Sequence, residues 1–129
     1  MKIRTITINL KKVADLFFKI FYKVRIGRVI MDFISKVAMQ RSISITHKDE
    51  TLLLTVPNAL NRWRVETYST KEPEMLTWID GLNQGSVLWD IGANVGLYSI
   101  YAAKVRNCTV CSFEPSIFNL ELLARNTFL

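Results

Sequence analysis

Between positions 10 and 40 the polar residues recur at helical spacing, but in two separate stripes. Lys12, Asp15, Lys19 and Lys23 are spaced three, four and four, and Arg25, Arg28, Asp32 and Lys36 repeat that spacing. At about 100° per residue the second stripe would lie nearly opposite the first on a continuous helix. One straight helix would then have no consistent apolar face. Gly27 stands at the changeover and is the natural break. The pattern predicts two amphipathic helices, roughly 10–25 and 28–40, with a kink near Gly27.

The period then changes from 3.6 to 2. Ile43 and Ile45 alternate with Ser44 and Thr46, and a polar turn at Lys48, Asp49 and Glu50 precedes an apolar run at 51–56. Trp63, Val65 and Thr67 alternate with Arg64, Glu66 and Tyr68. These runs predict three short strands in an antiparallel unit. At 72–80 the pattern is helical again, with Pro73 in the first turn beside Glu72 and Glu74. Met75, Trp78 and Ile79 mark its expected apolar face.

From 86 onward the order is strand, helix, strand, helix, at about 86–90, 95–105, 108–113 and 117–126. The first of these strands is apolar without alternation, as expected of a strand covered on both faces. Alternating strands and helices predict a parallel sheet. The expected fold is therefore α/β. A basic amphipathic helical segment at 1–42 precedes antiparallel strands and a lead-in helix at 43–85, then a βαβα unit at 86–129.

Charge sharpens this division. The chain of 129 residues carries a net charge of +6. Residues 1–48 hold eleven Lys and Arg against two Asp, whereas residues 49–129 hold six against nine acids. The basic character belongs to the N-terminal segment, and such a segment suits anionic lipid, nucleic acid or an acidic partner. A membrane span needs about 20 nearly uncharged residues, and Lys19, Lys23, Arg25 and Arg28 interrupt every such window. Lying on an anionic membrane surface through residues 10–40 and packing on a partner chain both remain open. The expected location is cytoplasmic, at most peripheral to a membrane.

Two cysteines make no disulfide scaffold. Cys108 and Cys111 are spaced like a metal pair, but residues three apart on a strand point to opposite faces. No metal site is expected, and lone His47, in a polar turn, is expected at the surface.

The chemistry concentrates at VLWDIGANVGLYSIY, residues 87–101. A parallel βαβ unit binds ligands beyond the carboxyl ends of its strands. Gly92 would admit a ligand close to the backbone, Asn94 tolerates a left-handed conformation, and Gly96 would let the following helix pack close. Free N–H groups at that helix start suit carboxylate or phosphate oxygens. The second strand ends in Glu114, placed to accept hydrogen bonds from both hydroxyls of a ribose. The dinucleotide fingerprint G-x-G-x-x-G is absent, which disfavours a nicotinamide cofactor. Asp90 at the end of the first strand would repel a pyrophosphate and suit an ammonium group. A ligand with an amino-acid head and a ribose, S-adenosylmethionine, satisfies Asp90 and Glu114 together.

Residues 87–99, then Phe113, Glu114, Pro115 and Ser116, then Leu123, Ala124, Arg125 and Asn126 closely resemble the FkbM family of S-adenosylmethionine-dependent methyltransferases. Residues 71–80 look like that family's lead-in segment. The resemblance covers roughly 51–129. It implies a Rossmann-like class I methyltransferase sheet, with Asp90, Gly92, Asn94 and Gly96 on the methionine side and Glu114 on the ribose. It also implies O-methylation of a hydroxyl on a sugar or secondary metabolite, so the expected partner is a small-molecule or glycan acceptor, and no nucleic acid is expected. Only the first two strands of that family's seven are covered, so the chain is expected to be an N-terminal portion, inactive alone. The alternative is a non-catalytic fragment with an N-terminal membrane-surface or partner-binding module. No catalytic residue is assigned.

Overall fold

The computed structural model describes residues 2–129, with side chains from residue 11 onward. They form a mixed α/β protein with two small sheets, dividing into a helical unit that ends at Ala38 and a second unit, Met39–Leu129.

The first unit is two helices, α1 (Lys2–Lys23) and α2 (Arg25–Met39). The expected break is present, but it falls at Val24, three residues before Gly27. Gly27 serves it by close approach: a Cβ there would stand 1.9 Å from the Phe21 carbonyl oxygen. The Arg28 guanidinium donates to the Lys23 carbonyl at the end of α1, 3.3 Å away. No helix is long and apolar enough to cross a membrane among the described residues.

In the second unit, β1 (Ser42–His47) and β2 (Glu50–Thr55) form an antiparallel hairpin, with Ser42 opposite Thr55 and His47 opposite Glu50. Leu52, Leu54 and Val56 alternate inward and are almost fully buried. The third strand expected at 63–68 is absent. Those residues fall in α3 (Ala59–Glu66), its cap Thr67, and α4 (Tyr68–Lys71). Asn58 caps α3, its side chain accepting the Asn61 N–H at 3.0 Å, and Pro57 ends the preceding strand. The helix buries Asn61 and Val65, four apart, and Tyr68 extends that face by three. Trp63, on the face expected to be apolar, is half exposed. The alternation in so short a window was coincidental, and the cap decides the conformation.

Helix α5 (Pro73–Asp80) starts on proline as expected, yet buries Leu76 and Ile79 while Trp78 stays exposed. Then β3 (Val87–Ile91), α6 (Leu97–Arg106), β4 (Thr109–Phe113) and α7 (Ile117–Asn126) follow the expected order. The strands β3 and β4 are parallel, Val87 opposite Thr109 and Ile91 opposite Phe113. The expectation that β3 is covered on both faces is corrected. Leu88 and Val110 face the core, whereas Val87, Trp89 and Ile91 are 66–79% exposed. Cys108, just before β4, is buried, and Cys111, on β4, is exposed.

One core joins 43–85 to 86–129: Leu54, Val65, Tyr68 and Leu76 pack in a single cluster with Tyr101 and Ala102. His47 is half-buried, not a free surface residue. Its ring meets those of Tyr68 and Tyr101 edge-on, and its Nδ1 lies 3.2 Å from Ser69 Oγ. Among the described residues the Tyr68 hydroxyl is buried without a hydrogen-bond partner, and burial pushes its pKa far up. An unpaired buried hydroxyl costs about 1–3 kcal/mol of desolvation. Tyr68→Phe is therefore expected to leave stability unchanged or raise it by about 1 kcal/mol, read from urea midpoints; a loss above about 1 kcal/mol would reveal a partner for the hydroxyl.

Candidate functional site

The turn between β3 and α6 is built on three left-handed residues at alternate positions, Gly92 (φ 86°), Asn94 (φ 54°) and Gly96 (φ 89°). This accounts for the G-x-N-x-G spacing, because glycine and asparagine enter that region at least cost. Backbone bonds tie the turn to the end of β4. The N–H groups of Gly92 and Ala93 both donate to the Phe113 carbonyl, at 2.8 and 3.0 Å. Gly96 caps α6 in a left-handed conformation, and a Cβ there would press on Leu123 Cγ at 3.3 Å. At Gly92 nothing lies within 4 Å of a Cβ position. Gly96 is thus a packing residue, and Gly92 faces open space.

Glu114 follows β4 and grips the turn. Its Oε2 accepts the Asn94 N–H at 2.8 Å. Its Oε1 accepts the Ser116 N–H at 2.8 Å and the Asn119 amide at 3.4 Å. The Ser116 N–H, then the Asn94 N–H, the Asn119 amide and the nearby Arg64 guanidinium outweigh desolvation and hold its pKa below the usual glutamate value. A carboxylate offers about four lone-pair sites, so three protein donors leave room for about one more.

Asn126 supports the site from beneath. It is 3% exposed. Its Oδ1 accepts the Thr55 N–H at 2.8 Å and its Nδ2 donates to the Val95 carbonyl at 2.8 Å. One side chain therefore joins β2, the glycine turn and α7.

A cavity of about 170 Å³ opens beside the turn, lined by Arg64, Lys71, Glu72, Gly92, Ala93, Asn94, Leu97 and Tyr98. Its rim carries two cations and one anion, with Lys71 and Glu72 paired at 2.9 Å. The Lys71 hydrogen bond holds the Glu72 carboxyl below its usual range. Burial, then the Glu72 charge, pushes the Tyr98 phenol up to about 12. Among the described residues the Asn94 Oδ1 is a buried acceptor without a donor. Arg64 was not visible as a site residue because its segment reads as a strand. On α3 its Nη1 bonds Asn61 Oδ1 at 3.1 Å and Asn119 Oδ1 at 3.4 Å, which chains it to Glu114. Arg64 also lines a larger hollow of about 460 Å³ with Met39, Leu60, Phe118, Asn119 and Leu122.

Of the five expected site residues, the fold gathers Gly92, Asn94 and Glu114. Gly96 packs against Leu123 instead. Asp90 stands apart from the cavity lining. Its Oδ2 accepts the Ser99 hydroxyl at 2.5 Å, and Ser99 Oγ lies 2.7 Å from Ser112 Oγ. Among the described residues Asp90 Oδ1 has no hydrogen-bond partner, and no group of His, Cys, Asp and Glu could hold a metal ion. A scan against protein-family models gives no match, and a search of the curated proteins gives none either.

Proposed function

We propose that this chain carries the cofactor site of an S-adenosylmethionine-dependent methyltransferase of the FkbM type, in a Rossmann-like class I sheet, acting on a hydroxyl of a small molecule or glycan. One observation carries the reading: the carboxylate after the second parallel strand, Glu114, is hydrogen-bonded to the left-handed turn after the first. A carboxylate suited to a ribose hydroxyl and a bare backbone stretch side by side, at the strand ends where α/β sheets take ligands, support this reading. The residues present fit such a group. Gly92 leaves its approach open. Asn94 Oδ1 lacks a donor, and the ammonium of a methionine head supplies one. Arg64 and Lys71 balance a carboxylate. The cavity is smaller than the roughly 300–1,000 Å³ that encloses a drug-sized ligand, so it suits one end of the molecule, with the rest lying along Glu114.

When bound, the cofactor supplies a methyl group on a positively charged sulfur. The chain's own contribution is to bind and orient. Gly92 admits the ligand to the backbone, Asn94 and Glu114 hold its polar groups, and Leu97 and Tyr98 wall the site. The reading assigns no catalytic base.

Glu114 gives the first test. Its folded pKa is depressed, so its grip on the turn is present above the usual glutamate value and lost as pH falls through the folded value. The amide resonances of Asn94 and Ser116 are expected to titrate together, with a midpoint below the glutamate norm of about 4.3. S-adenosylhomocysteine should shift the amides of Gly92, Asn94 and Ser116. Glu114→Gln, which turns one acceptor oxygen into a donor, should weaken that binding about tenfold. Ligand shifts confined to residues away from this turn would contradict the assignment.

A further inference from the structure

Helices α1 and α2 each present an apolar stripe to solvent. In α1, Val13, Leu16, Phe17 and Ile20 are spaced three, one and three and are 58–65% exposed. In α2, Ile26, Val29, Phe33 and Val37 follow at three, four and four and are 44–67% exposed. A helix that faces a protein core buries such a stripe, and exposed apolar patches of this extent mark interaction sites. The opposite faces are basic. Residues 11–39 contain seven Lys and Arg against two Asp and no Glu. At about 100° per residue, Lys12 and Lys23 fall at the border of the α1 stripe, and Lys36 and Arg25 at the border of the α2 stripe. That is where long basic side chains reach headgroup level while their stems cover apolar surface.

The break at Val24 belongs to this arrangement. On a continuous helix, Ile26 would sit about 140° around from Val13, so the two stripes could not meet one plane. Interrupting the helix uncouples them. A nucleic acid would engage the basic faces and leave the apolar stripes in water. An apolar protein groove would cover the stripes but matches the basic borders only where its rim is acidic. A bilayer with anionic headgroups complements stripe and border along both helices, and neither helix is apolar enough to cross it.

We propose that α1 and α2 lie in the plane of an anionic lipid bilayer, with Phe17 and Phe33 inserted among the acyl chains and the basic borders among the headgroups. The full chain should co-sediment with phosphatidylcholine vesicles containing about one third phosphatidylserine, and at least about tenfold less with phosphatidylcholine alone. Binding should weaken as salt rises from about 0.1 M to about 1 M, where the Debye length falls from about 10 to 3 Å. Phe33→Glu and Lys36→Glu should each lower vesicle affinity about tenfold or more. Tryptophan fluorescence reports only the second unit, through Trp63, Trp78 and Trp89, and should show unchanged unfolding in both variants. Equal binding to neutral and anionic vesicles would overturn the proposal. So would full affinity in Phe33→Glu, or a salt-independent oligomer in free solution that no longer binds vesicles, which would make a second copy the occupant.

Discussion

Asn126→Ala should be the most destabilising single substitution at the base of the site. It strips the partner from two buried backbone groups at once, the Thr55 N–H and the Val95 carbonyl. Both residues are almost fully buried, Thr55 at 5% and Val95 at 1% exposure, so water does not readily replace the amide. Each orphaned group costs about 1–3 kcal/mol, which puts the loss for two at about 2–6 kcal/mol. A typical domain has only about 5–15 kcal/mol in total. For a unit of this size the melting midpoint should fall by on the order of 10–20 °C. Asn126→Asp should be no better: it restores the acceptor for Thr55 but aims an oxygen, or a buried charge, at the Val95 carbonyl. Calorimetric unfolding of the three proteins checks this. A loss below about 1 kcal/mol in Asn126→Ala would show that solvent reaches the gap and that the clamp is not structural.

The second large effect is conformational. Gly27→Ala places a Cβ where the Phe21 carbonyl oxygen now stands, 1.9 Å away. No side chain can yield there, because the obstacle is backbone. A continuous helix would accept the same alanine and gain about 1 kcal/mol over glycine. Both terms drive the segment toward one unbroken helix. Spin labels at positions 12 and 36, with Cys108 and Cys111 replaced by serine, measure the outcome. Twenty-four residues at 1.5 Å each span about 36 Å along a straight helix. The parent should give a shorter distance and Gly27→Ala a distance near that value. If the bilayer proposal holds, the straightened variant also loses vesicle affinity, since its stripes then face different directions. An unchanged distance would mean that another feature, not the glycine, sets the bend.

The parts of this molecule that were legible in the sequence are those whose cause is local. The strand and helix order from 86 onward follows from period and turn chemistry, and the left-handed turn follows from two glycines and an asparagine at alternate positions. The break between α1 and α2 is visible as a shift between two polar stripes, though its position three residues before Gly27 is not, because the glycine acts on Phe21 through space. Residues 63–68 misled because a six-residue alternation fits both periods. The signal that decides them, Pro57 followed by Asn58 as a cap, lies outside the window. With the helix misread, Arg64 could not be placed beside Glu114. The exposed side of β3 was illegible for a different reason. Val87, Trp89 and Ile91 are apolar whether or not anything covers them. Asn126 was seen only as part of a recurring motif, since its partner Thr55 lies 71 residues away. Glu114 was placed correctly at the end of the second parallel strand. Its three protein donors, which limit what else it can bind, come from two loops and a helix that only the fold brings together.

The claim that this turn seats S-adenosylmethionine is tested most directly by titration calorimetry of the 129-residue chain with S-adenosylhomocysteine and with NAD, in parallel with Glu114→Gln. The account predicts a measurable heat with S-adenosylhomocysteine, about tenfold weaker affinity in the variant, and weaker or no binding of NAD. Equal or tighter binding of NAD, or an affinity for S-adenosylhomocysteine that Glu114→Gln leaves unchanged, would contradict it.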